Sequence, residues 1–227
     1  MNMENRMKSF LMRLVACAAV GFAAFAASAE PVSIRLLFVY DAAAVDYLES
    51  QGNNIDNFAE NAVVRMNTVL ANSRLTNYFT YELAGTTQTQ VRETNLTTAY
   101  NRGWKYLNGA EDDAWDGVLE ARAASHADVV VNLVYTGTSG GLTGQSHAYT
   151  GTAEEYAVNY AGSAFSCCSI QTAELEVSGQ LGQFQVLSHE VAHTLGCGHA
   201  DTQDNQSGQQ SADYSYGYQF KYPGTQN

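Results

Sequence analysis

The sequence predicts an α/β fold with a mostly parallel sheet. Two near-continuous apolar runs, at 33–40 (SIRLLFVY) and 129–135 (VVVNLVY), are typical of strands buried on both faces. Between these runs, apolar residues recur at three- and four-residue steps, which indicates an amphipathic helix. This alternation of strand and helix favours an α/β sandwich.

The first 29 residues have the pattern of a secretory signal peptide. Three basic residues precede an alanine-rich apolar run at 14–27, and small residues close the segment at 27–29 (ASA). The run is too short to span a bilayer comfortably, and no second hydrophobic stretch follows. We therefore expect cleavage after Ala29 and a secreted product, extracellular or periplasmic. An uncleaved signal anchor is the alternative.

The charge balance excludes some partners. The 227 residues include 11 basic and 23 acidic ones, a formal net charge of −12 at pH 7. Removing the signal peptide makes the remainder more acidic still, because that segment is basic. Such a surface repels the phosphates of nucleic acid and of anionic lipids, so we expect neither as a partner. The remaining 30–227 can bury the core of one catalytic domain.

The elements of the first half follow the predicted alternation. The strand at 33–40 should lie inside the sheet, followed by a polar turn and a long helix over 55–70. Asn53 or Asn54 is placed to cap that helix. Aromatic and β-branched residues at 75–83 predict a second strand, which the Thr-rich stretch after it extends or follows.

The next elements approach the second apolar strand. A weaker helical pattern covers 100–107. The acidic residues at 111–113 are expected to form the first turn of a short helix reaching Arg122, where they would complement its dipole. The strand at 129–135 follows, and then a Gly/Thr/Ser loop at 136–146.

One stretch, LSHEVAHTLGCGH, carries the chemistry of the chain. On a helix, His189 and His193 are four residues apart and can present two imidazoles to one cation. Glu190, beside them, would point its carboxylate into the same cleft and take a proton from a zinc-bound water. Gly196 permits a left-handed helix end, so that His199 can return as a third nitrogen ligand.

Three histidine ligands leave one coordination position open, which is the mark of a catalytic zinc site. By chance, a bare His-Glu-x-x-His is expected in roughly one chain of this composition in 160, and the five-residue pattern in about one in 10⁵. A buried helix with hydrogen-bonded histidines would explain one of these residues but not three at this spacing.

The motif at 189–199 matches the extended signature of the metzincin zinc endopeptidases. The layout of the preceding chain is most similar to the reprolysin-like (adamalysin-type) branch, although that branch usually has Asp where Ala200 stands here. The resemblance implies a zincin fold with an upper subdomain at 30–199 and the start of a lower one at 200–227. It also implies one catalytic Zn²⁺, a peptide or protein substrate, and an antiparallel edge strand near 144–149 that pairs with the substrate backbone.

Metzincins also carry a methionine turn after the third histidine, whereas the last methionine of this chain is Met66. We therefore expect the C-terminal subdomain to be incomplete within 200–227. Two functions follow from the motif and this departure. The first is a secreted zinc-dependent endopeptidase with a glutamate general base; the alternative is a non-catalytic zinc-binding remnant or binding module.

The cysteines leave two alternatives. Cys167, Cys168 and Cys197 remain after removal of the signal peptide, an odd number for an oxidising compartment. Either Cys197 forms a disulfide with one of the other two, or the bridge is absent and the thiols stay free or pair elsewhere.

Other polar residues carry weaker hypotheses. His147 could be a fourth ligand or a substrate contact, but a surface-loop histidine is favoured. His126 is expected to be a cation at a helix end. The acidic groups at 111–116 and 201–213 could hold calcium, but they lack EF-hand spacing, and a solvated face is favoured.

Overall fold

The structure, a computed structural model, describes residues 30–137, 143–147, 164–171 and 185–197. The chain divides into two compact units, Met1–Val32 and Ser33–Asn227, and the fold presented here is that of the second. Its elements are β1 (Val32–Tyr40), α1 (Ala42–Ser50), α2 (Ile55–Asn72), β2 (Phe79–Gln88), α3 (Leu96–Leu107), a 3₁₀ turn (Asp113–Trp115), α4 (Val118–Ser125), β3 (Val129–Val134), β4 (Gly144–Ser146), β5 (Phe165–Ser169) and α5 (Gln185–Thr194).

The five strands form one sheet in the order β2-β1-β3-β5-β4. Strand β3 is parallel to both β1 and β5. Strand β4 is antiparallel to β5, with Gly144 opposite Cys168 and Ser146 opposite Ser166. The predicted α/β fold, with a mostly parallel sheet and an antiparallel strand at its edge, is therefore confirmed.

The sheet buries a hydrophobic core on each face. Phe38 and Val131 point toward α2 and α5, whereas their strand neighbours Leu37 and Val130 point toward α3 and Trp115. All five side chains are at most 2 % exposed. Because successive strand residues face opposite sides, β1 and β3 are apolar along their whole central length. The arrangement places α5 on one face, in contact with β3, β4 and β5.

Several predicted elements occur where the sequence places them. Strands β1 and β3 are internal to the sheet, and the amphipathic helix is α2. Of the two proposed caps, Asn54 is the N-cap, and its side chain accepts a hydrogen bond from the backbone N of Asn57 at 2.9 Å. That bond satisfies a backbone donor that the first helical turn leaves without a partner.

Two stretches of the first half differ from the predictions. The polar turn after β1 is the helix α1, whose N-cap Asp41 is buried and accepts a hydrogen bond from Ala44 N at 2.8 Å. The second strand starts later than expected, at Phe79, because Leu75 and Tyr78 form a backbone turn after α2. The Thr-rich stretch extends this strand.

The acidic segment opens the 3₁₀ turn, with Asp113 as its first residue, and not the helix α4. Asp112 caps the 3₁₀ turn, and Gly117, with a φ of 87°, separates that turn from α4. The carboxylate of Asp112 pairs instead with the guanidinium of Arg102 at 2.5 and 3.0 Å. His126 lies at the C-terminus of α4 with a φ of 52°.

Strand β5, a short strand whose side chains are all buried (FSCCS), was not predicted. Within the described ranges, no helix is both long and apolar enough to cross a membrane.

We expect Gly103→Ala to destabilise the fold. A Cβ at this position of α3 would lie 2.5 Å from the ring of Phe165 and 2.6 Å from that of Trp115. Alanine favours a helix by about 1 kcal/mol over glycine, but overpacking of rigid rings costs about 1–3 kcal/mol. Urea denaturation should therefore show a less stable variant, whereas the control Asn101→Ala, at an exposed position of α3, should not lose stability. A Gly103→Ala variant as stable as the wild type would contradict this packing.

We also expect Asp112→Asn to lower stability only where the aspartate is ionised. The Arg102 guanidinium holds the pKa of Asp112 below its usual value. A depressed folded-state pKa gives stabilisation that is present above the unfolded pKa, about 4, and is lost as the pH falls through the folded one. Asparagine keeps the capping oxygen, so the difference in unfolding free energy should be about 1 kcal/mol at pH 7. Urea denaturation measured from pH 7 to pH 2 should show that this difference disappears at acidic pH. A difference that stays constant over this range would contradict the ion pair.

Candidate metal centre and active site

Helix α5, which carries the predicted site residues, is packed against the sheet by buried apolar side chains. Leu187 and Val191, four residues apart, are 1 % and 0 % exposed and belong to the core on this face of the sheet. On the same helix, Glu190 and His193 are also buried, whereas His189 is exposed. The hydrophobic anchors therefore fix the orientation of the helix backbone from which the three polar side chains project.

The two histidines converge. The Nε2 atoms of His189 and His193 are 2.9 Å apart, and their rings are nearly perpendicular, at 82°. The Nδ1 atom of His193 lies 2.7 Å from the backbone carbonyl oxygen of Cys197. Since a carbonyl only accepts, Nδ1 of His193 carries the proton and donates it. In the neutral imidazole, Nε2 then holds the lone pair that a metal requires.

The backbone conformation at the end of α5 brings the Cys197 carbonyl close to His193. Gly196 has a φ of 93°, a left-handed backbone that few other residues adopt. The backbone N of Cys197 donates to the carbonyl of Ala192 at 3.0 Å, and that of Gly196 to the carbonyl of His193 at 3.0 Å. The glycine turn thus closes the helix and directs the Cys197 carbonyl back to His193.

The histidine pair fits a shared zinc ion. Bonds of about 2.0–2.1 Å in tetrahedral geometry place two ligand nitrogens roughly 3.3 Å apart. The observed 2.9 Å is within a small side-chain rotation of that spacing. Among the residues that the structure describes, no group of three or more His, Cys, Asp or Glu side chains is placed to hold a metal. The third predicted ligand, His199, lies outside the described residues, as do Ala200 and Asp201.

Glu190 is held between the helix and the edge strand. Its Oε2 accepts a hydrogen bond from Ser146 Oγ at 2.7 Å, and the residue is 7 % exposed. Burial raises the pKa of Glu190 to about 7, while the Ser146 hydrogen bond acts in the opposite direction. A carboxyl group with a pKa close to neutrality can both take up and release a proton.

The edge strand also leaves space for this carboxylate. A Cβ on Gly144 would lie 2.6 Å from both Cγ and Oε1 of Glu190. Any side chain at Gly144 would therefore displace Glu190. Strand β4 occupies the start of the predicted edge-strand segment at 144–149, of which 148–149 lie outside the described residues.

His147 directly follows β4. Its ring centroid is 5.1 Å from that of Trp104 on α3. This aromatic contact lends no support to the fourth-ligand alternative.

A comparison with models of known protein families shows the family to which the chain belongs. The family model Reprolysin_5, described as Metallo-peptidase family M12, matches residues 31–225. The chain belongs to metallo-peptidase family M12. This membership confirms the predicted resemblance to the reprolysin-like metzincins.

The comparison with solved structures bears on the fold and not on the function. This M12 chain is similar to one chain of a structure titled "Structure of a chaperone-substrate complex", with a TM-score of 0.52 and 17 % sequence identity. The match covers 82 % of this chain and 32 % of that one, so the M12 chain spans about a third of the length of its structural relative. No curated protein matches the chain.

The three described cysteines of this M12 chain, Cys167, Cys168 and Cys197, are free thiols, so Cys197 forms no disulfide with either of the other two. Cys167 and Cys168 are both buried but, as adjacent strand residues, face opposite sides of the sheet, whereas Cys197 is exposed beyond α5. The calcium hypothesis at 111–116 gains no support, because Asp112 is already engaged by Arg102.

Two residues that contact Glu190, Gly144 and Ser146, were not predicted to belong to the site. They lie where the predicted loop at 136–146 overlaps the predicted edge strand at 144–149. Their spacing of two residues could have indicated that both face the active-site helix, since residues two apart in a strand share one face.

We expect loss of either described histidine to weaken zinc binding by this M12 chain strongly. His189→Ala and His193→Ala each remove one nitrogen of the pair, so zinc affinity should fall at least about 100-fold. Competition with a chromophoric chelator measures the zinc affinity, and mass spectrometry measures the metal content. The control His126→Asn lies at an exposed, left-handed position that asparagine tolerates and should bind zinc as the wild type does. Unchanged zinc affinity in both alanine variants would contradict the site.

Proposed function

We propose that the chain is a secreted zinc-dependent endopeptidase in which Glu190 moves the proton during hydrolysis of a peptide bond. The observation that carries this proposal is the position of Glu190. Its carboxylate is buried, and it lies on the helix that carries the convergent His189 and His193, in a chain of metallo-peptidase family M12.

The ligand set would consist of the two described histidines and His199. When bound there, zinc supplies Lewis-acid chemistry, which activates a water molecule and polarises the carbonyl of the scissile bond. His193 is already held in the tautomer that leaves Nε2 available, through its bond to the Cys197 carbonyl. The exposure of His189 supports access from solvent to the cleft.

Glu190 would act first as a base and then as an acid. Its pKa, raised to about 7 by burial, lies close to neutral pH, so one group can accept a proton and later donate it to the leaving amine. Glu190 is adjacent to His189 in the chain, yet its carboxylate is hydrogen-bonded to Ser146 on the edge strand. This contact supports a role beside the metal rather than as a ligand.

The edge strand supports a peptide as the substrate. Within the described part of the chain, β4 pairs with β5 on one side and is last in the sheet order. An extended peptide can add to such an edge through main-chain hydrogen bonds. Because this pairing uses no particular side chain, it favours peptides as a class over one sequence.

Export is supported by the signal-peptide pattern at 1–29 and by the acidic composition. We propose cleavage after Ala29 and action outside the cytoplasm, with no nucleic-acid or membrane partner.

We expect Glu190→Gln to lower kcat/KM at least about 100-fold, because glutamine cannot accept the proton. Zinc content should stay near one ion per chain in this variant. Cleavage of casein and of a mixed peptide library measures activity, with inhibition by a chelator and recovery on adding zinc. Glu60→Gln, at an exposed position of α2, is the matched control and should retain full activity.

Two results would contradict the proposal. A fully active Glu190→Gln variant would remove Glu190 from the mechanism. A zinc-loaded wild-type chain that cleaves no peptide would instead favour the alternative of a non-catalytic zinc-binding module.

A further inference from the structure

Strand β4 offers Glu190 two features that no other described element offers. Gly144 and Ser146 are two residues apart and both face α5. Gly144 leaves the space that the carboxylate occupies, since a Cβ there would lie 2.6 Å from Oε1. Ser146 donates a hydrogen bond to the other oxygen, Oε2, at 2.7 Å.

We propose that Ser146 is a positioning residue, whose hydroxyl, together with the space above Gly144, holds the Glu190 carboxylate in the orientation needed for proton transfer. This inference rests on the proposed function of Glu190.

Without these contacts, Glu190 would have several side-chain conformations available. Its side chain has three rotatable bonds, and helix packing at Leu187 and Val191 fixes only the backbone. A hydroxyl bonded to one carboxylate oxygen selects one of these conformations. Hydrogen bonds to an ionised group are also roughly twice as strong as those between neutral groups.

The backbone of β4 is itself fixed. Its three residues pair with β5, and Ser146 lies directly opposite Ser166. Ser166 faces the same side of the sheet and is fully buried, yet its Oγ has no hydrogen-bond partner among the described residues. The two serines thus share a strand pair and a face, but only Ser146 reaches Glu190.

A role in orientation predicts an effect on kcat rather than on KM. The peptide would bind the sheet edge through its main chain, which Ser146 Oγ does not alter. A misplaced carboxylate would slow the proton transfer itself.

The test uses the full zinc-loaded chain and four variants. Ser146→Ala should lower kcat about tenfold while KM and zinc content stay near those of the wild type. Ser146→Thr keeps the hydroxyl and should recover most of that loss. Gly144→Ala should lower kcat with Ser146 in place, because its Cβ displaces the carboxylate. Ser166→Ala removes a buried hydroxyl from the opposite residue and should leave kcat unchanged.

A second measurement does not depend on activity. In protein labelled with ¹³C-glutamate, the Glu190 Cδ resonance is assigned by its disappearance in Glu190→Gln. It should shift in Ser146→Ala and stay in place in Ser166→Ala. If the wild-type chain cleaves no peptide, the proposed function fails, and this resonance still decides whether Ser146 holds Glu190.

Three results would overturn the inference. These are wild-type kcat in Ser146→Ala, an equal loss of kcat in Ser166→Ala, and an unmoved Glu190 resonance in Ser146→Ala.

Discussion

The packing of α5 against the strand pair β4–β5 is the interaction on which the candidate site depends. Leu187 and Val191 bury one side of the helix in the core shared with α2 and the sheet. Glu190, on the same helix, fills the space above Gly144. A shift of the helix relative to the edge strand would therefore change the packing of the core and the position of the carboxylate together.

A second constraint comes from the end of the helix. The left-handed backbone at Gly196 brings the Cys197 carbonyl to Nδ1 of His193. That bond determines which nitrogen carries the proton, and so makes Nε2 a suitable metal ligand. One glycine therefore joins the ending of α5 to the chemistry of the histidine pair.

Much of the fold could be predicted from the sequence, because burial on both faces leaves continuous apolar runs. Such runs predict strands β1 and β3, whereas apolar residues at three- and four-residue steps predict helix α2. Helix α1 was missed because its nine residues are too few to show a clear period, although Asp41 and the alanines after it favour a helix. Strand β5 was missed because its serines and cysteines are small, and their burial depends on α3 and α5 rather than on their own hydropathy.

Part of the candidate site could likewise be predicted from the sequence, and part could not. The spacing of His189, Glu190 and His193 follows from helix geometry and is visible in the sequence. The contacts of Glu190 with Gly144 and Ser146 join residues more than forty positions apart. Only the antiparallel pairing of β4 with β5 brings them together, and no local pattern encodes that pairing.

We propose that α5 presents two histidine ligands to zinc while Glu190 stays out of the coordination shell. A crystal structure of the zinc-loaded chain, with anomalous data collected at the zinc edge, tests this directly. We expect one anomalous peak at about 2.0–2.1 Å from Nε2 of both His189 and His193, with Glu190 still bonded to Ser146. A peak bonded to the Glu190 carboxylate, or none beside the two histidines, would contradict it.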